Sequence, residues 1–270
     1  MTVFQAIVLG LVQGLTEFLP VSSSGHLVLT PEILGIPKPS LAFDVMLHLA
    51  TVVAVGGYFA RDIYSMAGAF LWPKRLAPGS VKQWRRLGLW LVIGTVPAGL
   101  AGVFLGDFFE SLFESTLAVG AFLLVTSILM VIADYVAGRA VATRSVDDMG
   151  LVDALIVGCF QALAIAPGLS RSGATISGGM FLGLDRAAAA RFSFLLSVPA
   201  IGGAGLLNIG EISAGFTDGT AAYVAGAVAA ILSGLFAVHF MLRFLRSHRL
   251  RVFSIYTAVL GVFVIILSLL

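Results

Sequence analysis

Few side chains in this sequence can do chemistry, and they cluster. Glu17, His26 and Arg171 are ionisable residues in apolar surroundings, and each stands beside hydroxyls. In a bilayer core an ionisable side chain is costly, so it marks a functional site by default. Gln13 and Glu17 lie four residues apart, and with Gly10 and Gly14 they make one small, polar helix face. Shortly after comes Ser22-Ser23-Ser24-Gly25-His26; a second run reads Ser170-Arg171-Ser172-Gly173-Ala174-Thr175. If the two runs meet, a carboxylate, an imidazole, a guanidinium and six hydroxyls converge. Broken-helix ends would add free backbone N–H groups. Such a set suits a phosphate: arginine supplies a planar fork, and hydroxyls and amides complete the cradle. Each residue also has a plainer reading. A serine in a membrane helix often bonds only its own backbone, Glu17 could relay a proton or pair structurally with Arg171, and His26 could be a satisfied core residue.

The elements that hold these residues follow from composition. Of 270 residues, 59% are hydrophobic and 11% charged, where a soluble domain carries roughly 25% charged. Mean hydropathy is +1.04. A soluble enzyme, a disordered chain and a nucleic-acid binder are excluded, and the net charge of +2 is too small to imply an anionic macromolecular partner. The apolar runs are long and continuous, unlike the short alternating segments of a β-barrel, so the fold class is an all-α polytopic membrane protein. Six stretches are long enough to cross a bilayer core: 41–60, 87–105, 116–136, 191–210, 221–243 and 252–270. Two shorter helical stretches, 3–19 and 151–166, end at Pro20 and Pro167. They predict re-entrant helical hairpins over about 3–40 and 151–190, with irregular backbone buried in protein. The N-terminus lacks a basic n-region, so no cleavable signal is expected. Cys159 reads as a buried packing residue, His48 and His239 as structural, His248 as part of a basic loop, and Asp185 as a helix cap. The Phe-rich stretches are expected to face lipid.

Loop charge sets an orientation. Segment 61–86 holds Arg61, Lys74, Arg75, Lys82, Arg85 and Arg86 against Asp62, and 243–251 holds Arg243, Arg246, Arg249 and Arg251 with no acid. Segments 106–115 (Asp107, Glu110, Glu114) and 211–220 (Glu211, Asp218) have no bases. The basic loops are expected in the cytoplasm and the acidic ones outside. The loop 137–150 is neutral.

An internal repeat organises the chain. At a fixed offset of 148, Gly10, Gln13, Ser22, Ser24 and Gly25 match Gly158, Gln161, Ser170, Ser172 and Gly173. Each hairpin precedes three spans, an odd number, so the second half should enter from the opposite side. The expectation is an inverted-topology repeat of 1–136 and 151–270 within one integral domain, with the site where discontinuous helices meet.

These residues also carry a family resemblance. Gln13-Gly-Leu-Thr-Glu17-Phe-Leu-Pro-Val-Ser-Ser-Ser-Gly-His26 and Pro167-Gly-Leu-Ser-Arg-Ser-Gly-Ala-Thr-Ile-Ser-Gly-Gly179 resemble the two signatures of bacterial undecaprenyl-diphosphate phosphatases of the bacitracin-resistance (BacA/UppP) type. Phe43-Asp-Val-Met-Leu-His48 and Arg191-Phe-Ser-Phe-Leu-Leu extend the likeness over essentially the whole chain. The resemblance implies a hydrolase of a polyprenyl diphosphate lipid in the bacterial inner membrane, with its active site on the outer side. Such an enzyme would recycle the lipid carrier for cell-wall polymers. It implies Glu17, Ser23, His26 and Arg171 as catalytic residues and a divalent cation, Mg²⁺ or Ca²⁺. Family members carry a glutamate or glutamine where this chain has Gln13, which leaves Glu17 as the one clear carboxylate for a metal, with a cation carried mainly on the substrate as the alternative. The expected diphosphate ligands are Gln13, Ser22, Ser24, Gly25, Ser170, Ser172, Gly173 and Thr175. Ser23 is the first choice of nucleophile with His26 as its base and Glu17 orienting His26. Direct attack by His26 and activation of water are the rivals. The prenyl chain is expected to remain in lipid without a special pocket. A lipid flippase using the same site is the alternative, and oligomeric state stays open, a homodimer included.

Overall fold

A computed structural model describes all residues except 140–143, 209, 211–218 and 270. Most of the acidic loop 211–220, including Glu211 and Asp218, therefore lies outside the described residues. The described chain is helical: α1 Val3–Phe18, α2 Ser23–Leu34, α3 Leu41–Tyr58, α4 Ala60–Leu71, α5 Pro78–Phe104, α6 Gly106–Phe113, α7 Thr116–Arg139, α8 Leu151–Leu163, α9 Arg171–Phe181, α10 Arg186–Leu207, α11 Thr220–Phe244 and α12 Arg251–Leu269. Six of these, α3, α5, α7, α10, α11 and α12, are long and apolar enough to cross a membrane. The chain is a multi-pass helical membrane protein. Large apolar side chains exposed on these helices, such as Leu232, Phe236 and Val259, are what a lipid-facing surface requires.

The predicted spans are recovered with shifted ends. α5 begins at Pro78, well before residue 87, because Pro at N1 starts a helix readily. α10 begins at Arg186, where the Asp185 side chain accepts from the Ala188 N–H as the expected cap. Two helices inside the supposed loops are additions, α4 and α6. Cys159 corrects its reading: it is exposed on the outer side of α8, while Ala154, Val157, Gly158 and Gln161 form that helix's buried face.

α1 and α8 are shorter than the spans, at 16 and 13 residues. At about 1.5 Å per residue neither crosses a core about 30 Å thick. Each then turns back, α1 into α2 and α8 into α9. α1 lies along α11 and α8 along α5, so each hairpin packs on the middle span of the other half; α7 pairs with α12. The close fit has the same cause on both sides. A Cβ added at Gly10 would sit 2.2 Å from the Gly226 carbonyl oxygen, and one at Gly158 would sit 2.4 Å from that of Gly94. The main apolar core joins Phe18, Val55, Met130, Ile176, Phe192, Phe194 and Met241. Phe18 meets Phe194 edge-on at 5.4 Å, which anchors the residue next to Glu17.

Candidate active site

The two hairpin tips are built alike and meet. Ser22 caps α2, accepting from the Gly25 N–H at 3.2 Å, and Ser170 caps α9, accepting from the Gly173 N–H at 3.1 Å. Each capping hydroxyl lies 3.2 Å from the hydroxyl of the serine two residues on, Ser24 or Ser172. The tips are then laced together. Ser172 donates to the Leu19 carbonyl at 3.1 Å, and the Gly168 N–H donates to Ser24 Oγ at 3.3 Å. Thr126 of α7 holds the second tip, accepting from the Ser170 N–H at 2.9 Å and donating to the Gly168 carbonyl.

Glu17 is the centre of the junction and 5% exposed. Its Oε1 accepts from Arg171 Nη2 at 2.7 Å; its Oε2 accepts from Ser23 Oγ at 2.6 Å and from Gln13 Nε2 at 3.0 Å. Arg171 also donates from Nη1 to the Ser193 carbonyl at 3.1 Å, while its Nε, buried, has no protein acceptor. Burying this ion pair is tolerable only because both partners gain further hydrogen bonds.

This geometry departs from the sequence reading in four ways. First, Ser23 is paired with Glu17 rather than with His26. A carbonyl only accepts, so His26 Nδ1 donates to Ser22 O at 2.7 Å, and Nε2 faces the Tyr256 hydroxyl at 2.6 Å over stacked rings. Neither nitrogen faces Ser23 or Glu17. What His26 holds is the backbone of Ser22, the one non-glycine residue with a positive φ (71°) among those described. Second, most of the expected cradle is committed to the protein. Ser22, Ser24, Ser170 and Ser172 cap or lace the tips, Thr175 bonds the Arg171 carbonyl and Ser193 Oγ, and the Gly25 and Gly173 N–H groups are capped. Third, Glu17 does not fit a cation site, since both its oxygens are engaged and one faces Arg171. Among the described residues no three His, Cys, Asp or Glu side chains group to hold a metal. Fourth, there is a pocket. A cavity of about 700 Å³ opens between α3, α5, α8 and α10, lined by small and aliphatic residues such as Gly99, Gly102, Ile165, Pro199 and Gly203, with His48, Gln161 and Arg171 among them.

His48 was missed. Its Nδ1 donates to Asp44 O at 2.8 Å, which turns Nε2 towards Glu17 Oε2, 3.9 Å away. A lone histidine in an apolar span gives no sign of this; only the packing of α3 on α1 does. Ser193 and Thr126 were missed for the same reason. His239 faces Tyr58 at 3.2 Å, and His248 stacks on Phe244 beside the basic segment.

Fold and site together define a polytopic membrane protein with an enclosed, charged junction between two broken hairpins and an apolar cavity reaching it. Residues 6–263 match the family model described as bacitracin resistance protein BacA. The chain belongs to that family. It is 44% identical over its whole length to an undecaprenyl-diphosphatase of Alkaliphilus metalliredigens, with all of both chains covered. It is 44% identical to the one from Thermomicrobium roseum, covering 97% of this chain and 96% of the relative. Identity to that of Methanosphaera stadtmanae is 40%, covering 98% of each chain.

Proposed function

We propose that this chain hydrolyses undecaprenyl diphosphate to undecaprenyl phosphate and inorganic phosphate on the outer side of a bacterial cell membrane. That recycles the lipid carrier for wall polymers and gives bacitracin resistance. The relatives' names supply the substrate. The observation that carries the chemistry is the hydrogen-bonded chain Ser23–Glu17–Arg171 at the hairpin junction. Its architecture reads as two inverted copies, 1–136 and 151–270, whose hairpins exchange partners.

Ser23 Oγ attacks the terminal phosphorus while its proton passes to Glu17 Oε2, the acceptor it already bonds. The bond from phosphorus to the bridging oxygen breaks, and undecaprenyl phosphate leaves with that oxygen. Water then attacks the phosphoserine; Glu17 returns the proton to Ser23 Oγ and phosphate departs. Arg171 neutralises charge on the transferring group. His26 acts by fixing Ser22, and through it Ser23, rather than as the base. The cavity receives the first part of the prenyl chain and lipid holds the rest. Glu17, with both oxygens engaged, would not hold a Mg²⁺ or Ca²⁺; such a cation carried on the diphosphate would supply further charge neutralisation.

The test is phosphate release from undecaprenyl diphosphate by purified protein, wild type beside Arg171→Ala and Ser23→Ala. Release that collapses in both variants supports the reading; no release by folded wild type across divalent cations returns the site to a flippase. In a Cys159→Ser background, cysteines at Lys74 and Arg246 should resist an impermeant reagent in intact cells. Labelling there would reverse the orientation.

A further inference from the structure

Gln161 is buried at 3% exposure, and neither its Nε2 nor its Oε1 has a hydrogen-bond partner in the protein. An unpaired buried amide costs stability, so a reason for it is required. The repeat locates the reason. Gln13, its counterpart, donates to Glu17 four residues on. Four residues beyond Gln161 stands Ile165, which accepts nothing. The second hairpin thus keeps the amide and lacks the carboxylate that would occupy it.

The amide atoms are buried, but the residue forms part of a cavity wall. Gln161, Ile165 and Arg171 line the same 700 Å³ cavity, and Arg171 Nε is a second buried donor without an acceptor. Two uncommitted donors within the wall of a mainly apolar cavity match an oxyanion that carries an apolar chain. Arg171 divides the space: its terminal nitrogens are spent on Glu17 and Ser193, where Ser23 acts, while Gln161 stands on the cavity side. We infer that Gln161 is a ligand of the lipid-linked phosphate, donating from Nε2 to a non-bridging oxygen of the phosphate that keeps the prenyl chain, in substrate and product alike. The inference rests on the diphosphatase reading above. Oε1 accepts from the hydroxyl of a singly protonated phosphomonoester, a form the product offers, with a second pKa of about 6.

Gln161→Met keeps length and helix propensity and removes only the amide. KM for undecaprenyl diphosphate and the inhibition constant of undecaprenyl phosphate should each rise about tenfold or more, the loss of a hydrogen bond to a charged group. The inhibition constant of inorganic phosphate should not move, and kcat should fall by less than about threefold. The unfolding midpoint of the ligand-free protein should hold or rise, because an unpaired amide has been removed. Unchanged KM and product inhibition would overturn the inference. So would a lower midpoint with unchanged KM, which marks a structural amide, or a shift confined to inorganic phosphate, which places Gln161 on the terminal phosphate. If wild type releases no phosphate, the diphosphatase reading fails by itself. Equilibrium binding of undecaprenyl phosphate to wild type and Gln161→Met in nanodiscs then still decides the role of Gln161.

Discussion

The two hairpins share a capping scheme and differ in almost everything chemical. Where the first carries Glu17, Ser23 and His26, the second carries Ile165, Arg171 and Ala174 at the matching positions. The first tip holds Ser22 at φ 71°, outside the favoured region for a residue with a side chain, while Ser170 sits relaxed at −63°. α9 is buried from Ser172 to Met180, whereas Ser23, Ser24 and His26 keep partial exposure. In the reaction proposed above, one copy supplies the reacting groups and the strain, and the other contributes a cation and a rigid wall. Strain of this kind, of order 1–3 kcal/mol, persists where surrounding structure over-determines it, here the His26 bond to the Ser22 carbonyl.

If the halves are packed alike, Gly10→Leu and Gly158→Leu should both abolish folded, monodisperse protein on size exclusion. Each side chain would collide with a backbone carbonyl that cannot move aside. Tolerance of one alone would break the equivalence. Next in size, Arg171→Ala should destabilise by about 3–5 kcal/mol, since it strands Glu17 as an unpaired buried charge. Ser23→Ala should cost activity by about 10⁶, as loss of a nucleophile does, and should destabilise by only about 1.5–3 kcal/mol for the lost bond to the Glu17 carboxylate. Thermal unfolding beside phosphate release separates the two.

A smaller contrast lies in the paired glycines. A Cβ at Gly173 meets Ser170 Cβ and Thr126 Cγ2 at 3.1 Å, whereas at Gly25 the nearest atom is Ser22 Oγ at 3.3 Å and the next lies at 3.7 Å. Gly173→Ala should cost about 1–3 kcal/mol and Gly25→Ala less. Smallest, Ser22→Gly relieves the positive φ at the expense of a cap worth a few tenths over glycine. It should raise the unfolding midpoint while lowering kcat, where Ser170→Gly, with no strain to relieve, should lower the midpoint.

Much of this was legible in the chain. The six spans follow from apolar length, and the meeting of the tips from a Ser-x-Ser-Gly pattern repeated at one offset. What the hydroxyls do was not legible, because a serine free for phosphate and one capping its own helix have the same sequence. α4 escaped notice since its basic and acidic residues, Arg61 and Asp62, disguise a helix whose Asp62 pairs with Arg191 at 2.7 Å. The cavity is lined mainly by glycines, alanines and aliphatic side chains from separate helices, so no local pattern announces it. His48 needed the packing of two helices to be seen beside Glu17.

The central claim is that Glu17 activates Ser23 for attack on phosphorus. A single turnover on substrate labelled in the terminal phosphate, quenched in acid, tests it most directly. The account predicts an acid-stable phosphate on the peptide that holds Ser23, absent in Ser23→Ala and strongly reduced in Glu17→Gln. Acid-labile label on His26, or full turnover with no protein-bound phosphate at any time, would contradict it.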